Sequence, residues 1–370
     1  MRVEPGGVAR ETPRVRTVLM TADAVGGVWR YAIDLARVLR SDGIETVIAV
    51  MGPAPSSAQR REAAEAGVTL VDRPYQLEWM PDPWTDVERA GTWLLTLAQS
   101  VRPDIVHLNG YAHAKLPWPA PVVVVAHSCV RTWWKAVKCE DAPSEWERYT
   151  REVAQGLLAA TVVVAPTAAM LKAIHEEYRL TLHSRVIPNG TVPVLTSPRL
   201  ELKEPFVLSV GRVWDDAKNI RGVAAVASRL KWPVFVAGEC LDPGGAKATL
   251  PGVHLLGTLC GADLSAWYRR AAIYALPARY EPFGLSVLEA ANAACALVLG
   301  DIPSLRENWD EAAWFVPPDD DRALTAAIGR LIDHPATRHD LARRAFARAS
   351  ALPVGRTADS YSRLYKSLAS

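Results

Sequence analysis

Short, continuously apolar, β-branched runs recur along this chain with helical stretches between them, and that alternation limits the fold more than any other feature. Residues 15–20, 46–50, 68–71, 105–108, 122–126 and 162–165 are such runs. Between the first two, residues 28–39 set Ala32, Leu35, Ala36 and Leu39 at helical spacing, and residues 57–66 are helical in pattern. A strand without an alternating polar face must be covered on both sides, which predicts a parallel sheet between helical layers. Residues 187–205 hold four prolines and an Asn-Gly turn signal, and read as a linker. The alternation then restarts, with strands at 206–210, 234–237, 253–256, 273–276 and 297–299 and helices at 219–230, 285–294 and 322–332. The expected organisation is a flexible leader over 1–14, a first α/β half over 15–188, a linker over 189–205 and a second α/β half over 206–352. Pro353 and Gly355 separate a last helix, 357–369, which carries Tyr361, Leu364, Tyr365 and Leu368 on one face and can pack back on the first half. At roughly 150 residues per domain, 370 residues correspond to two or three domains.

Composition excludes several classes. Lys+Arg 42 against Asp+Glu 40 leaves +2, so binding of nucleic acid through bulk charge is not expected. The five cysteines (129, 139, 240, 260, 295) are odd in number and form no C-x-x-C pair, which argues against a disulfide framework or zinc site and for a reducing, cytoplasmic location. The first residues, MRVEPGGVARETPRVR, lack the apolar core of a secretory signal. No apolar run reaches the ~18 residues of a membrane helix.

The segment RYEPFGLSVLEA, 279–290, follows a strand and opens a helix. Gly284 lets backbone approach a ligand, and free N–H groups at the helix start suit an anion or sugar hydroxyls. Glu281 lies on the loop and Glu289 one turn into the helix; carboxylates so placed suit diols. Spacing alone would favour a loop surface charge and an exposed helical glutamate. In SVGRVWDDAKN, 209–219, Arg212 at a strand end and Lys218 before a helix suit a diphosphate, although spacing alone favours two surface cations. Gly26 and Gly27 in DAVGGVWR, 23–30, feed a helix start, a phosphate-approach geometry or an ordinary turn; the pattern is not G-x-G-x-x-G, so a dinucleotide enzyme is not supported. His127 ends a strand, where it can meet a sugar oxygen or phosphate, or simply pack. His107 and His113 are candidates too. Asp319, Asp320 and Asp321 precede a helix and read as its cap rather than as metal ligands. Trp133, Trp134, Lys135 and Lys138 cluster after His127 as a candidate for acceptor or membrane-surface contact.

The Glu281–Glu289 segment, with its Pro-Phe-Gly-Leu insert, is followed by ALVLGDIPSLRE (296–307) and FVPPDDDRAL (315–324). The order resembles the signature of the retaining family 4 glycosyltransferases. The resemblance implies the GT-B architecture, two Rossmann-like parallel-sheet domains facing across a cleft, with the first, 15–188, on the acceptor side and a nucleotide-sugar donor held mostly by the second. It implies that Arg212 and Lys218 bind the donor diphosphate and that Gly26 and Gly27 close over it. His127 would contact the transferred sugar; Ser128 stands where the family commonly has Asp, and Asn109 where relatives often have His. The loops at Gly238-Glu239 and at Thr258 and Leu259 would touch the nucleoside. Glu289 is expected on the ribose and Glu281 on the sugar side, with Phe283, Gly284 and Leu285 completing the donor site. The implied catalytic set is His127, Arg212, Lys218 and Glu281. The implied reaction is retaining, metal-independent hexosyl transfer with no cofactor, the nucleotide-sugar being a substrate. The acceptor would be a glycan, a lipid-linked or a small molecule. No second carboxylate is identified opposite Glu281, which disfavours double displacement. A sugar-nucleotide epimerase of the same fold and a non-catalytic sugar-binding subunit are the alternatives. The intact Glu281–Glu289 segment argues against the first, and the retained Arg212, Lys218 and His127 against the second.

Overall fold

The computed structural model describes residues 15–193, 195–241, 248–259 and 261–369. The leader expected over 1–14 and Cys260 lie outside them. Thirteen strands are present among these residues: β1 (Thr17–Asp23), β2 (Glu45–Met51), β3 (Thr69–Asp72), β4 (Ile105–Leu108), β5 (Val122–Val125), β6 (Val162–Ala165), β7 (Ser184–Val186), β8 (Glu204–Val210), β9 (Val234–Ala237), β10 (His254–Gly257), β11 (Ala271–Leu276), β12 (Ala296–Gly300) and β13 (Ala313–Val316). They form two sheets, ordered β3-β2-β1-β4-β5-β6-β7 and β10-β9-β8-β11-β12-β13. The pairings are parallel, as in β1 with β2 (Thr17 opposite Glu45 through Asp23 opposite Met51) and β11 with β12 (Ile273 opposite Ala296). The expected architecture of two parallel α/β sheets is therefore the one observed.

Burial explains why. All four residues of β5 and all six of β11 are buried, with no polar face left for solvent. In the second sheet, Leu208, Tyr274, Leu276, Leu297 and Leu299 point into one core, while Val207, Ile273, Ala275, Ala296 and Val298 point into the other. Successive residues thus serve opposite faces, the period-2 geometry of a strand covered on both sides.

The structure departs from the sequence reading at several elements. β7 and β13 are edge strands of three and four residues that were not foreseen. β8 begins at Glu204 and takes in Pro205, read as linker; proline donates no ladder bond, and the register with β11 shifts between Ala271 and Ile273. The last helix runs Val354–Leu368, so Gly355 sits inside its first turn rather than breaking it.

By its internal contacts the chain divides into two compact units. One holds residues up to Val124, Ala159–Thr161 and Ala358 onward; the other holds Val125–Leu158 and Val162–Thr357. In the first unit the last helix supplies Tyr361 and Tyr365, both fully buried. The His107 ring lies between phenols, Nε2 3.2 Å from the Tyr31 hydroxyl and Nδ1 2.6 Å from that of Tyr365. His107 is thus a satisfied core residue. No helix among the described residues is long and apolar enough to cross a membrane.

Candidate functional site

Strand order reverses in the second sheet between β8 and β11, and loops following strands at such a point border a crevice. The loop after β8 carries Arg212 and Lys218; the loop after β11 carries Glu281. Lys218 Nζ lies 2.5 Å from Glu281 Oε2, and the two side chains are only 20% and 11% exposed. Glu281 Oε1 accepts the Gly284 N–H at 2.9 Å and the Phe283 N–H at 3.4 Å. Ser304 Oγ donates to the Glu281 carbonyl at 2.5 Å. Gly284, at φ 90°, turns the chain into the helix Leu285–Asn292; a Cβ there would sit 3.1 Å from Val287 Cγ2 in a backbone region that side chains rarely adopt.

The acidic pair between the two cations, Asp215 and Asp216, is accounted for by partners. Asp215 is buried and accepts from Arg212 Nη2 at 2.6 Å, Ala217 N–H at 3.0 Å and Trp133 Nε1 at 3.4 Å. Burial alone would raise its pKa, but the charges of Arg212 and Lys218, with the hydrogen bonds from Arg212 and the Ala217 N–H, together outweigh that and hold it below the ordinary carboxylate value. Arg212 also lies over the Trp214 ring, 5.2 Å from its centroid. Asp216 pairs with Lys138 at 2.7 Å, and Lys138 lies 5.7 Å from the Trp133 centroid. Trp133 and Lys138, expected as candidates for acceptor or membrane-surface contact, here support this loop. Asn219 clamps its far end, Nδ2 donating to the carbonyls of Pro277 at 3.0 Å and Pro318 at 2.6 Å.

Glu289 projects from the helix Leu285–Asn292 beside Tyr268, whose phenol is held well above its ordinary pKa by burial and then by that carboxylate. Gly238 ends β9 at φ 153°, and a Cβ on it would fall 1.8 Å from the Gly211 carbonyl oxygen, so the ends of β8 and β9 meet through bare backbone. Glu239 accepts from Thr258 Oγ1 at 3.3 Å and from Leu241 N–H at 2.9 Å, tying this strand end to the loop that carries Thr258 and Leu259.

His127 follows β5 and belongs to the same unit. Burial pushes its imidazole pKa down to about 4. Two residues on, Cys129 N–H donates to the Tyr280 phenol at 3.2 Å, and Thr132 Oγ1 lies 2.8 Å from that phenol. Tyr280 therefore links the His127 segment to the Glu281 loop.

The remaining candidates separate. Gly26 and Gly27 lie in the first unit, Gly26 at φ 80° before the helix Gly27–Ser41. Asn109 is held to β1, its N–H donating to Thr21 Oγ1 at 3.0 Å and its Nδ2 to the Thr21 carbonyl at 2.7 Å. His113 Nε2 lies 2.9 Å from the Val87 carbonyl in the core. Asp320 caps the helix Asp321–Asp333 through Ala323 N–H at 2.8 Å, and Asp319 pairs with Arg279 at 2.6 Å. Among the described residues no three His, Cys, Asp or Glu side chains gather as metal ligands would. Asp215, Asn219, Ser304 and Tyr280 were missed as contributors; only Asp215, three residues from Arg212, had a local signal.

Residues 25–193 match the family model for Glycosyltransferase Family 4, and residues 204–334 that for Glycosyl transferases group 1. Glycogen synthase of Mycobacterium tuberculosis is 26% identical over 87% of this chain and 86% of its own length. Among solved structures, sucrose-phosphate synthase of Thermosynechococcus elongatus superposes with TM-score 0.77 at 19% identity, covering 95% of this chain and 99% of that one. HepE of Anabaena, in complex with UDP-glucose, superposes with TM-score 0.74 at 16% identity over 95% and 100%. The chain belongs to the family 4 glycosyltransferases and has their GT-B fold.

Proposed function

We propose that the protein is a retaining, metal-independent hexosyltransferase that moves a sugar from a nucleotide-sugar to an acceptor hydroxyl. The observation that carries this reading is the pairing of Lys218 with Glu281 at the start of the helix Leu285–Asn292. It brings a cation suited to a leaving diphosphate against a carboxylate suited to sugar hydroxyls. Arg212, set by Asp215, adds the second cation, and the two neutralise the charge that grows on the diphosphate as the glycosidic bond breaks. Glu281 is a poor candidate for a covalent nucleophile, because one oxygen faces Lys218 and the other the Gly284 N–H. A front-face transfer fits better: the departing diphosphate takes the acceptor proton while the protein positions the reactants. Glu289 is assigned the ribose, Phe283 and Leu285 the donor's edge, and the Thr258–Leu259 backbone the base. His127, neutral at physiological pH, offers an N–H or a lone pair to the transferred sugar.

The test is incubation with UDP-, GDP- and ADP-hexoses in EDTA, with the product's anomeric configuration read by proton NMR. An α-linked product from an α-donor, formed in the chelator, supports the reading. Inversion, or loss of activity restored only by magnesium or manganese, overturns it.

A further inference from the structure

The loop between β11 and the helix Leu285–Asn292 lies outside regular structure, so its buried carbonyls need partners from elsewhere. Three successive carbonyls find them in side chains: Glu281 in Ser304 Oγ at 2.5 Å, Pro282 in Thr167 Oγ1 at 2.9 Å and Phe283 in Asn308 Nδ2 at 3.4 Å. The three donors are buried, Thr167 completely. Ser304, Glu307 and Asn308 stand three and four residues apart, on one face of the helix Pro303–Trp309. Glu307 turns to the helix Ala168–Tyr178 and accepts the N–H groups of Ala168 at 2.7 Å and Ala169 at 2.9 Å. Thr167 caps that same helix, its Oγ1 accepting the Met170 N–H at 3.0 Å while donating to Pro282. One hydroxyl thus both accepts and donates. All these residues belong to the second unit.

We propose that Ser304 and Thr167 are positioning residues for sugar transfer, holding the loop so that the Glu281 carboxylate meets the reacting sugar. This rests on the glycosyltransferase reading above. Each hydroxyl is engaged with a backbone carbonyl, so each acts through Glu281 rather than on a substrate. The contact of Glu281 Oε1 with the Gly284 N–H depends on the curl of the loop, and the anchored carbonyls of Glu281 and Pro282 set that curl. A displacement of about 1 Å at a reacting group costs roughly a hundredfold in rate. The diphosphate side hangs on other contacts: Asp215 sets Arg212, and Asn219 clamps the end of the loop that carries Lys218. Loss of either hydroxyl therefore falls on turnover and spares the binding of a nucleoside diphosphate.

The experiment measures nucleoside diphosphate release from UDP-, GDP- and ADP-hexoses by the whole protein, with water or an added hexose as acceptor. The variants are Thr167→Val, Thr167→Ser, Ser304→Ala, Glu281→Ala, and Glu281→Ala combined with each of Thr167→Val and Ser304→Ala. Thr167→Val and Ser304→Ala should each lower kcat roughly ten- to a hundredfold, with donor KM moving less than about threefold. Thr167→Ser keeps the hydroxyl and should hold kcat within about threefold of the wild type. Added to Glu281→Ala, neither substitution should lower kcat further, because the group it positions is already gone. Support of the fold alone would lower both backgrounds alike. Calorimetry with UDP, GDP and ADP should find affinity unchanged in Thr167→Val and Ser304→Ala. Should Thr167→Val not fold, Ser304→Ala carries the same test. Near-wild-type kcat in the folded variants, or an equal fall with and without Glu281, overturns this inference alone. A wild type that releases no nucleoside diphosphate from any donor would instead strike the reading on which it rests.

Discussion

Lys218 and Glu281, 63 residues apart in sequence, meet through Nζ and Oε2 at 2.5 Å and tie the loop after β8 to the loop after β11. The pair is largely buried, so removing one partner strands the other. Lys218→Met and Glu281→Gln should each destabilise by about 1–3 kcal/mol, below the 3–5 of a fully buried pair because Lys218 still meets solvent. The double variant should cost less than the sum by about 1 kcal/mol or more. Urea unfolding of the four proteins measures this; strict additivity would mean the contact has no energetic weight.

Turnover should respond to the cations more sharply than stability does. Arg212→Ala and Lys218→Ala are each expected to lower kcat by roughly a hundredfold, as losing a donor to a developing oxyanion does. Steady-state kinetics with the cognate donor decides, and near-normal rates in both variants would remove these residues from the leaving-group site.

Asp215 ties stability to pH. Its folded pKa is depressed because Arg212, Lys218 and the hydrogen bonds it accepts together outweigh its burial. Its contribution is therefore fully present above its unfolded value, about 3.9, and is lost as pH falls through the folded one. Asp215→Asn should be less stable than the wild type by a constant margin from pH 5 to 8, and the margin should shrink below about pH 4. Thermal melts across this range check it; a margin that grows in acid contradicts the assignment.

The two glutamates should separate kinetically. Glu289→Ala removes hydrogen bonds made in ground and transition states alike, so donor KM should rise, by roughly 1.5–3 kcal/mol per bond lost in affinity. Glu281→Ala touches the reacting sugar, so kcat should fall more than KM rises. A nucleoside diphosphate should bind Glu281→Ala nearly as the wild type and Glu289→Ala poorly. Calorimetry giving the reverse would exchange the two roles.

His127 should titrate near pH 4, where burial places it, and so leave no inflection in kcat/KM between pH 5 and 8. Because its folded pKa lies below its unfolded value of about 6.5, the stability it contributes is complete above 6.5 and declines as pH falls towards 4. His127→Asn should flatten that decline. Imidazole NMR showing titration near 6.5 would place the ring in solvent.

What could be read from the sequence follows from where each signal resides. β5 is Val-Val-Val-Val and β11 is apolar throughout, so each declares a doubly covered strand by itself. β7 is Ser-Arg-Val, half exposed at an edge, and only its pairing with Val163–Ala165 makes it a strand. The site divides in the same way. Glu281, Gly284 and Glu289 lie within nine residues and show as a motif. Tyr280 acts through Thr132, and Asp215 partly through Trp133, contacts that span 148 and 82 positions and have no local pattern. Asp216 likewise takes its partner, Lys138, from 78 positions away.

The Tyr361 and Tyr365 rings that close over His107 and Tyr31 come from far along the chain, 258 positions separating His107 from Tyr365. Domains commonly fold as they leave the ribosome, amino-terminal part first. Here the first unit lacks part of its core until the helix that holds Tyr361 and Tyr365 has been made, because residues from Ala358 onward belong to that unit. The second unit is fully synthesised earlier, so the order of completion is the reverse of the order of synthesis. A stop codon directly after Thr357 would leave the second unit's own residues whole and the first with His107 uncovered.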